Sequence, residues 1–398
     1  MILALVGVAF GQSFSEASDL NADLKSFFLG TFPYEHVAMP DDPEASGALD
    51  GRIRWKLDLD DRFRLEVHHA VTATTGAISL GGGSGFGVGL EAPQAVDLDW
   101  EGVGSDGMWL VGRTDRLKIE STMGPTEWSL GRQPITFGQG RFFTPLDLVN
   151  PFHPATVDSE YKPGVDAARL DAYPNASTEV TLVAAYAGDW TREEMVFAGH
   201  GQMTLGVTDL GVFLGEVRGD RVAGLSGVGS IGPVGVYGDV AATLPGDSEE
   251  DPFVRAVLGA DHRATATTSV GLEIYYQSLG ASTPGGYGEF AASDRVARGE
   301  LWTLGHVYGG LSVLQEITPL VRVSVAGLAN LADQSALVMP SVSVSVADNA
   351  DAVLGGYLGV GERPHAVELE ELLSGDLGIE SEFGLLPSTF FAQMRAYF

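Results

Sequence analysis

The chain runs to 398 residues, 53 of them glycine, with 44% hydrophobic and only 19% charged residues. Its 53 Asp and Glu outweigh 23 Lys and Arg, a net charge of −30 that excludes a nucleic-acid partner, because phosphate binding needs clustered cations. There is no cysteine, which excludes disulfides and thiolate metal sites.

Residues 1–11 form a short apolar run that ends in the small-x-small triplet Ala9-Phe10-Gly11, and they read as the remnant of a signal peptide without its positive n-region. Beyond residue 22 no segment reads as a helix, and no uncharged apolar run reaches the roughly 18 residues of a membrane-spanning one. The chain reads instead as strands of about ten residues. Eighteen are predicted, near 24–35, 50–58, 62–73, 113–121, 127–136, 164–173, 178–187, 201–208, 211–218, 221–231, 234–245, 253–264, 268–279, 300–316, 319–331, 336–347, 351–360 and 388–398.

Alternation is clear in several of them. Ile53, Trp55 and Leu57 oppose Arg52, Arg54, Lys56 and Asp58; Phe63, Leu65 and Val67 oppose Arg62, Arg64, Glu66 and His68. Val270, Leu272, Ile274 and Tyr276 oppose Gly271, Glu273, Tyr275 and Gln277, and in 341–346 Val alternates with Ser. A soluble sandwich shows the same period, so the connections must discriminate. Every second one is a tight turn (Asp60-Asp61, Met123-Gly124-Pro125, Pro174-Asn175-Ala176, Gly232-Pro233, Thr318-Pro319, Asp348-Asn349). Of those between, 74–112, 138–163, 281–299 and 361–387 are long, while 219–220 and 332–335 are short. Short turns at one end and mostly long loops at the other mark a transmembrane antiparallel up-and-down β-barrel of the outer membrane. The expected fold is all-β, with residues 12–398 forming one barrel of about 18 strands, sixteen being the alternative count. The glycine-rich stretch Gly81 to Gly89 lacks a P-loop Lys and a strand–helix context, so it reads as loop.

The last strand places Phe390, Ala392, Met394, Ala396 and Phe398 on one face, with Gln393, Arg395 and Tyr397 between them. It resembles the C-terminal signal by which outer-membrane barrels are recognised for assembly, with Phe390, Met394, Tyr397 and Phe398 as the signal residues. A second segment runs Gly131-Arg132-Gln133-Pro134 through Phe143-Thr144-Pro145-Leu146-Asp147 to Asn150-Pro151, then Gly164-Val165-Asp166-Ala167. It is similar to the strand–loop–strand of large porin-like outer-membrane proteins, a broad group that includes alginate-export-type barrels. The resemblance implies an eighteen-stranded channel with loop 138–163 folded inward. The residues agree in that Pro145, Pro151, Pro154 and Pro163 suit a stiff, irregular path.

Charges opposite a lipid-facing apolar set must point into the lumen, since Arg or Lys exposed to lipid near the midplane costs ~2–4 kcal/mol. Arg52, Arg54, Lys56, Arg62, Arg64, Arg116 and Lys118 therefore form a basic wall, faced by Asp147, Asp158 and Glu160 of the loop; Arg141 and Arg169 complete the expected pore lining. Arg132 shares the parity of Trp128 and Leu130, which requires a bulge at Gly131 or a different register. His68 and His69 point to opposite faces, and the other histidines are scattered, so no catalytic set emerges. Acidic pairs such as Asp41-Asp42, Asp97/Asp99 and Glu249-Glu250 read as solvated loops. The expected function is a porin-like channel for passive or facilitated diffusion of small hydrophilic solutes, its selectivity set by the basic lumen wall and an acidic constriction loop, with no cofactor and no metal. Its expected partners are outer-membrane lipid, lipopolysaccharide and the barrel assembly machinery. A non-conducting structural barrel is the alternative.

Overall fold

The structure, a computed structural model, describes residues 18–34, 42–75, 93–103, 108–151, 161–365 and 378–398. The expected signal segment, the glycine-rich stretch, Asp158 and Glu160 lie outside them.

Strands β1 (Ser18–Phe32), β2 (Glu44–Asp58), β3 (Phe63–Thr75), β4 (Trp100–Val103), β5 (Met108–Met123), β6 (Thr126–Gln133), β7 (Val165–Asn175), β8 (Thr178–Tyr186), β9 (Met195–Leu205) and β10 (Thr208–Val217) build the first half. The second half comprises β11 (Asp220–Ile231), β12 (Val234–Leu244), β13 (Phe253–Arg263), β14 (Thr268–Gln277), β15 (Val307–Thr318), β16 (Val321–Asn330), β17 (Ser335–Ala347), β18 (Ala350–Val360) and β19 (Ser388–Tyr397). All belong to one 19-stranded antiparallel sheet, and β1 pairs with both β2 and β19, so the sheet closes. Closure matters in lipid, where an open edge would leave backbone groups without partners. Ala22 and Phe398 exchange both backbone hydrogen bonds at the seam, at 3.0 and 2.8 Å.

β4 is an insertion. β6 covers β5 only over Leu117 to Met123, and β4 covers the same edge over Trp109 to Gly112. Without it the wall has eighteen strands, and the runner-up of sixteen is excluded. The eighteen coincide with those expected, with shifted ends. β9 begins at Met195 instead of 201, and β15 at Val307 instead of 300. The connection before β15 also holds two short helices, α1 (Tyr287–Ala291) and α2 (Asp294–Ala297), where no helix was expected. At five and four residues they are too short to show a helical period.

The two faces separate as the pleat requires. In β1, Phe28 is 57% exposed on the outside and Phe27 8% on the inside. The outward set includes Leu24, Leu225, Leu258, Leu272, Leu311 and Leu354, Phe390 and Met394 on β19, and Phe398 just after it; Tyr397 lies on the inner parity opposite Asp23. The apolar core sits inside the barrel, not between layers. Ile135, Phe137, Leu146, Leu148 and Val149 of the β6–β7 connection pack on Val165, Val183, Val196, Phe213, Val222 and Ala241, inner-face residues of β7 to β12 or their immediate neighbours.

Candidate functional site

The inner wall from β2 to β7 carries the basic residues that the sequence singles out, except Arg62 in a turn and Arg141 in the β6–β7 connection, and register gives nearly all of them a carboxylate neighbour. Arg52 pairs with Asp115, and Arg54 Nε lies 3.2 Å from Asp23 Oδ1. Glu66 stands between Lys56, at 3.9 Å, and Lys118, at 3.1 Å; Lys118 also meets Glu120. Arg64 bonds Asp58 at 2.6 Å, and Arg169 bonds Asp171 at 2.7 Å. Arg62 lies in the β2–β3 turn, where its backbone N–H donates to Asp60. Cross-strand pairing puts Arg54 opposite His68, Glu66 opposite Lys118 and His68 opposite Arg116, so the charges form a continuous row across β2, β3 and β5.

Asp115 owes its place to a bulge. His68 pairs with Arg116 but His69 with Thr114, leaving Asp115 as the extra residue, where it meets Arg52. No such irregularity occurs at Gly131. Pairing on both sides of β6 runs without a shift from Thr126 to Arg132, so neither a bulge nor a changed register is needed to place Arg132. Gly131 itself has φ +120, and a Cβ there would stand 2.2 Å from the Leu117 carbonyl oxygen. Arg132 keeps the parity of Leu130 and is only 2% exposed, because segment 94–99 covers it. It donates to Asp166 through Nε and Nη2, both at 3.0 Å, to Gln94 at 2.7 Å and to the carbonyls of Val96 and Thr114.

The described parts of the β6–β7 connection touch two sides of the interior. Gln139 and Gly140 donate backbone N–H groups to Asp239 Oδ2 on β12, at 2.7 and 2.9 Å. Arg141, Phe142 and Phe143 donate theirs to Glu273 on β14, at 2.6, 3.0 and 3.2 Å. The Arg141 side chain bonds Asp261 on β13 at 2.7 Å, and the Phe143 ring stacks on Tyr275 with centroids 4.6 Å apart. At the far end, the Tyr161 ring lies 3.7 Å from the Arg52 guanidinium and 4.7 Å from that of Arg116, and its hydroxyl meets His68. Arg116 also donates to the Lys162 carbonyl at 2.6 Å.

Asp147, expected to face the basic wall, pairs instead with a lysine of its own connection. It is buried and takes both oxygens to Lys162 Nζ at 2.7 Å, while that ammonium also donates to the Ile135 carbonyl and Thr136. Burial pushes the Asp147 carboxyl above the ordinary carboxylate range and lowers the Lys162 ammonium. Through its bonds to Ile135 and Thr136, Lys162 ties the two ends of the connection together, and through Asp147 it holds the middle. Among the basic residues, Arg52 and Arg116 hold Tyr161, Lys118 is largely covered beside Glu66 and Glu120, and Arg54, Lys56 and Arg64 keep a third to a half of their side chains exposed. Asp115, Asp239, Asp261, Glu273 and Tyr161 were not singled out by the sequence, although Glu273 stands in the polar set of its strand.

A closed wall that is apolar outside, charged inside and entered by one long connection defines a porin-like outer-membrane β-barrel. No family model matches the chain, and no curated protein matches it by sequence. By structure it is similar to OccK5 (OpdH) of Pseudomonas aeruginosa, with a TM-score of 0.59 at 7% identity over 96% of this chain and 98% of that one. The outer-membrane protein OpdK of the same organism superposes with a TM-score of 0.57 at 9% identity, over 97% and 99% of the two chains. OccAB3 of Acinetobacter baumannii gives 0.57 at 8%, over 96% and 99%. At such identities the shared property is the fold.

Proposed function

We propose that the protein is an outer-membrane channel for passive or facilitated diffusion of small hydrophilic solutes. The basic row of the wall and segment 138–163 set its selectivity. The exposed cations Arg54, Lys56 and Arg64 of β2 and β3, in a cross-paired row that continues into the covered Arg116 and Lys118 of β5, carry this reading, because a lumen meant only to be filled has no use for ions left a third to a half exposed. An eighteen-stranded wall is wide enough for an aqueous path beside one inserted segment. OpdK, similar in fold, is known in a structure with vanillate, an organic anion, which makes small organic anions the first solutes to try.

Purified protein in a planar bilayer should give stepwise conductance. Replacing Arg54 and Arg64 with Glu changes the local charge by four units without touching the lipid face, and the reversal potential in a salt gradient should move toward cation preference. The shift should be largest at low ionic strength, where screening over ~10–30 Å is weakest. A correctly folded barrel that never conducts would favour the structural alternative.

Assembly forms part of the same reading. Phe390, Met394, Tyr397 and Phe398 are proposed as the feature engaged by the assembly machinery, and lipopolysaccharide as the lipid partner of the long-loop end. Deleting Phe398 removes its N–H bond to the Ala22 carbonyl at the seam together with the terminal aromatic. The variant should accumulate as protease-sensitive protein; normal heat-modifiable migration on gels would argue against a role for this residue.

A further inference from the structure

The start of the β6–β7 connection is shaped to hold an anion, and the barrel wall supplies one. Gly138 has φ +92, and a Cβ on Gly140 would stand 1.8 Å from the Phe143 carbonyl oxygen, so both positions depend on glycine. With that backbone path the N–H groups of Arg141, Phe142 and Phe143 converge on one point, a concave nest of the kind that binds anions. The nest is filled by the carboxylate of Glu273: Oε1 accepts from Arg141, and Oε2 from Phe142 and Phe143. A fourth donor is Tyr237 of β12, whose hydroxyl reaches Oε1 at 2.9 Å. Tyr237, Gly259 and Glu273 stand in one cross-strand row, and a Cβ on Gly259 would strike the Tyr237 ring at 2.3 Å. Gly259 therefore lets the tyrosine lie across β13. Four donors from two different elements thus converge on a single buried wall carboxylate.

Resting on the channel reading above, we propose that Glu273 is the positioning residue of the constriction. It is an internal anion, seated in the loop's amide nest, that fixes where segment 138–143 stands in the lumen, with Asp239 as its auxiliary. The wall needs no carboxylate here for its own pairing, since the β13–β14 register passes through Gly259 and Glu273 undisturbed. The charge serves the loop.

Backbone amide exchange in the reconstituted barrel tests this without relying on conduction. In Glu273→Ala the amides of 139–143 should exchange about ten- to hundredfold faster, the loss corresponding to charge-assisted hydrogen bonds, while β12, β13 and β14 keep their protection. The deleted atoms correspond to acetate, so millimolar acetate should refill the nest and restore slow exchange, and chloride should not. Glu273→Gln, which retains shape but has one acceptor oxygen, should show a smaller acceleration that acetate does not reverse. In bilayers, open-channel noise should rise in Glu273→Ala and fall again with acetate. Unchanged exchange in both variants would overturn the proposal, and so would acceleration spread through the neighbouring strands or an indifference to acetate. If exchange behaves as expected and no variant conducts, the latch stands and the channel reading fails.

Discussion

Arginine at position 311 should block insertion, whereas arginine at position 312 should be tolerated. The two residues are neighbours in the middle of β15 and differ only in the face they occupy. Leu311 is 42% exposed on the outer face, opposite Leu272 on one side and Gly327 on the other. A guanidinium there enters hydrocarbon at a cost of ~2–4 kcal/mol near the midplane. Set against a total stability of ~5–15 kcal/mol, that is a large fraction. Ser312 points inward between Gly271 and Ala326, which leave room for a long side chain in water. Leu311→Arg should therefore lose the heat-modifiable band and accumulate as unassembled protein, and Ser312→Arg should fold and alter only ion selectivity. The opposite result, with Ser312→Arg lost and Leu311→Arg assembled, would invert the barrel's inside and outside.

The wall was legible in the sequence because each strand buries one face against lipid and the other against a polar interior, a contrast that writes period two directly into residues such as Ile53, Trp55 and Leu57 against Arg52, Arg54 and Lys56. Strand ends were less legible. The 300–306 segment alternates like a strand, with Leu301, Thr303 and Gly305 at every second position, yet Glu300 is drawn into a cluster with Arg255, Arg295 and Arg298 and the ladder starts only at Val307. β4 has four residues and sits inside a long glycine-rich connection, too little pattern to detect.

The lumen was half legible. Parity alone sends Arg54 and Arg64 inward, and they are found on inner positions, but parity does not say which acid will stand beside which base. That depends on register: Glu66 reaches Lys118 because the two are directly opposed, and Asp115 reaches Arg52 only because a bulge inserts it. The far wall was harder still. Asp239, Asp261 and Glu273 lie about one hundred residues or more along the chain from the loop amides and side chain they bind. Nothing local in the sequence of β14 distinguishes a glutamate that faces water from one that faces a loop.

Losing Arg132 should be among the most damaging single changes in the wall. Its guanidinium is bidentate to Asp166 and also serves Gln94, Val96 and Thr114, so it fastens together β6, β7, β5 and segment 94–99. Asp166 in turn accepts the backbone N–H groups of Ala95, at 2.8 Å, and Val96, at 3.2 Å. Removing the cation leaves this carboxylate covered and without its partner, a situation that costs ~3–5 kcal/mol. Because the side chain keeps outward parity, an apolar residue suits the position once the acid is gone as well. Arg132→Leu should lower the unfolding midpoint in detergent sharply and expose 93–103 to protease, while β12 to β19, which it does not touch, keep their amide protection. Adding Asp166→Val should restore a substantial part of the lost stability, since replacing both members of a buried pair is often neutral, but segment 94–99 should stay protease-sensitive because its anchors are missing. A double variant less stable than the sum of the two single ones would show that the pair is not the unit that matters. An Arg132→Leu protein with a native midpoint would show that segment 94–99 and β6 are held by other contacts.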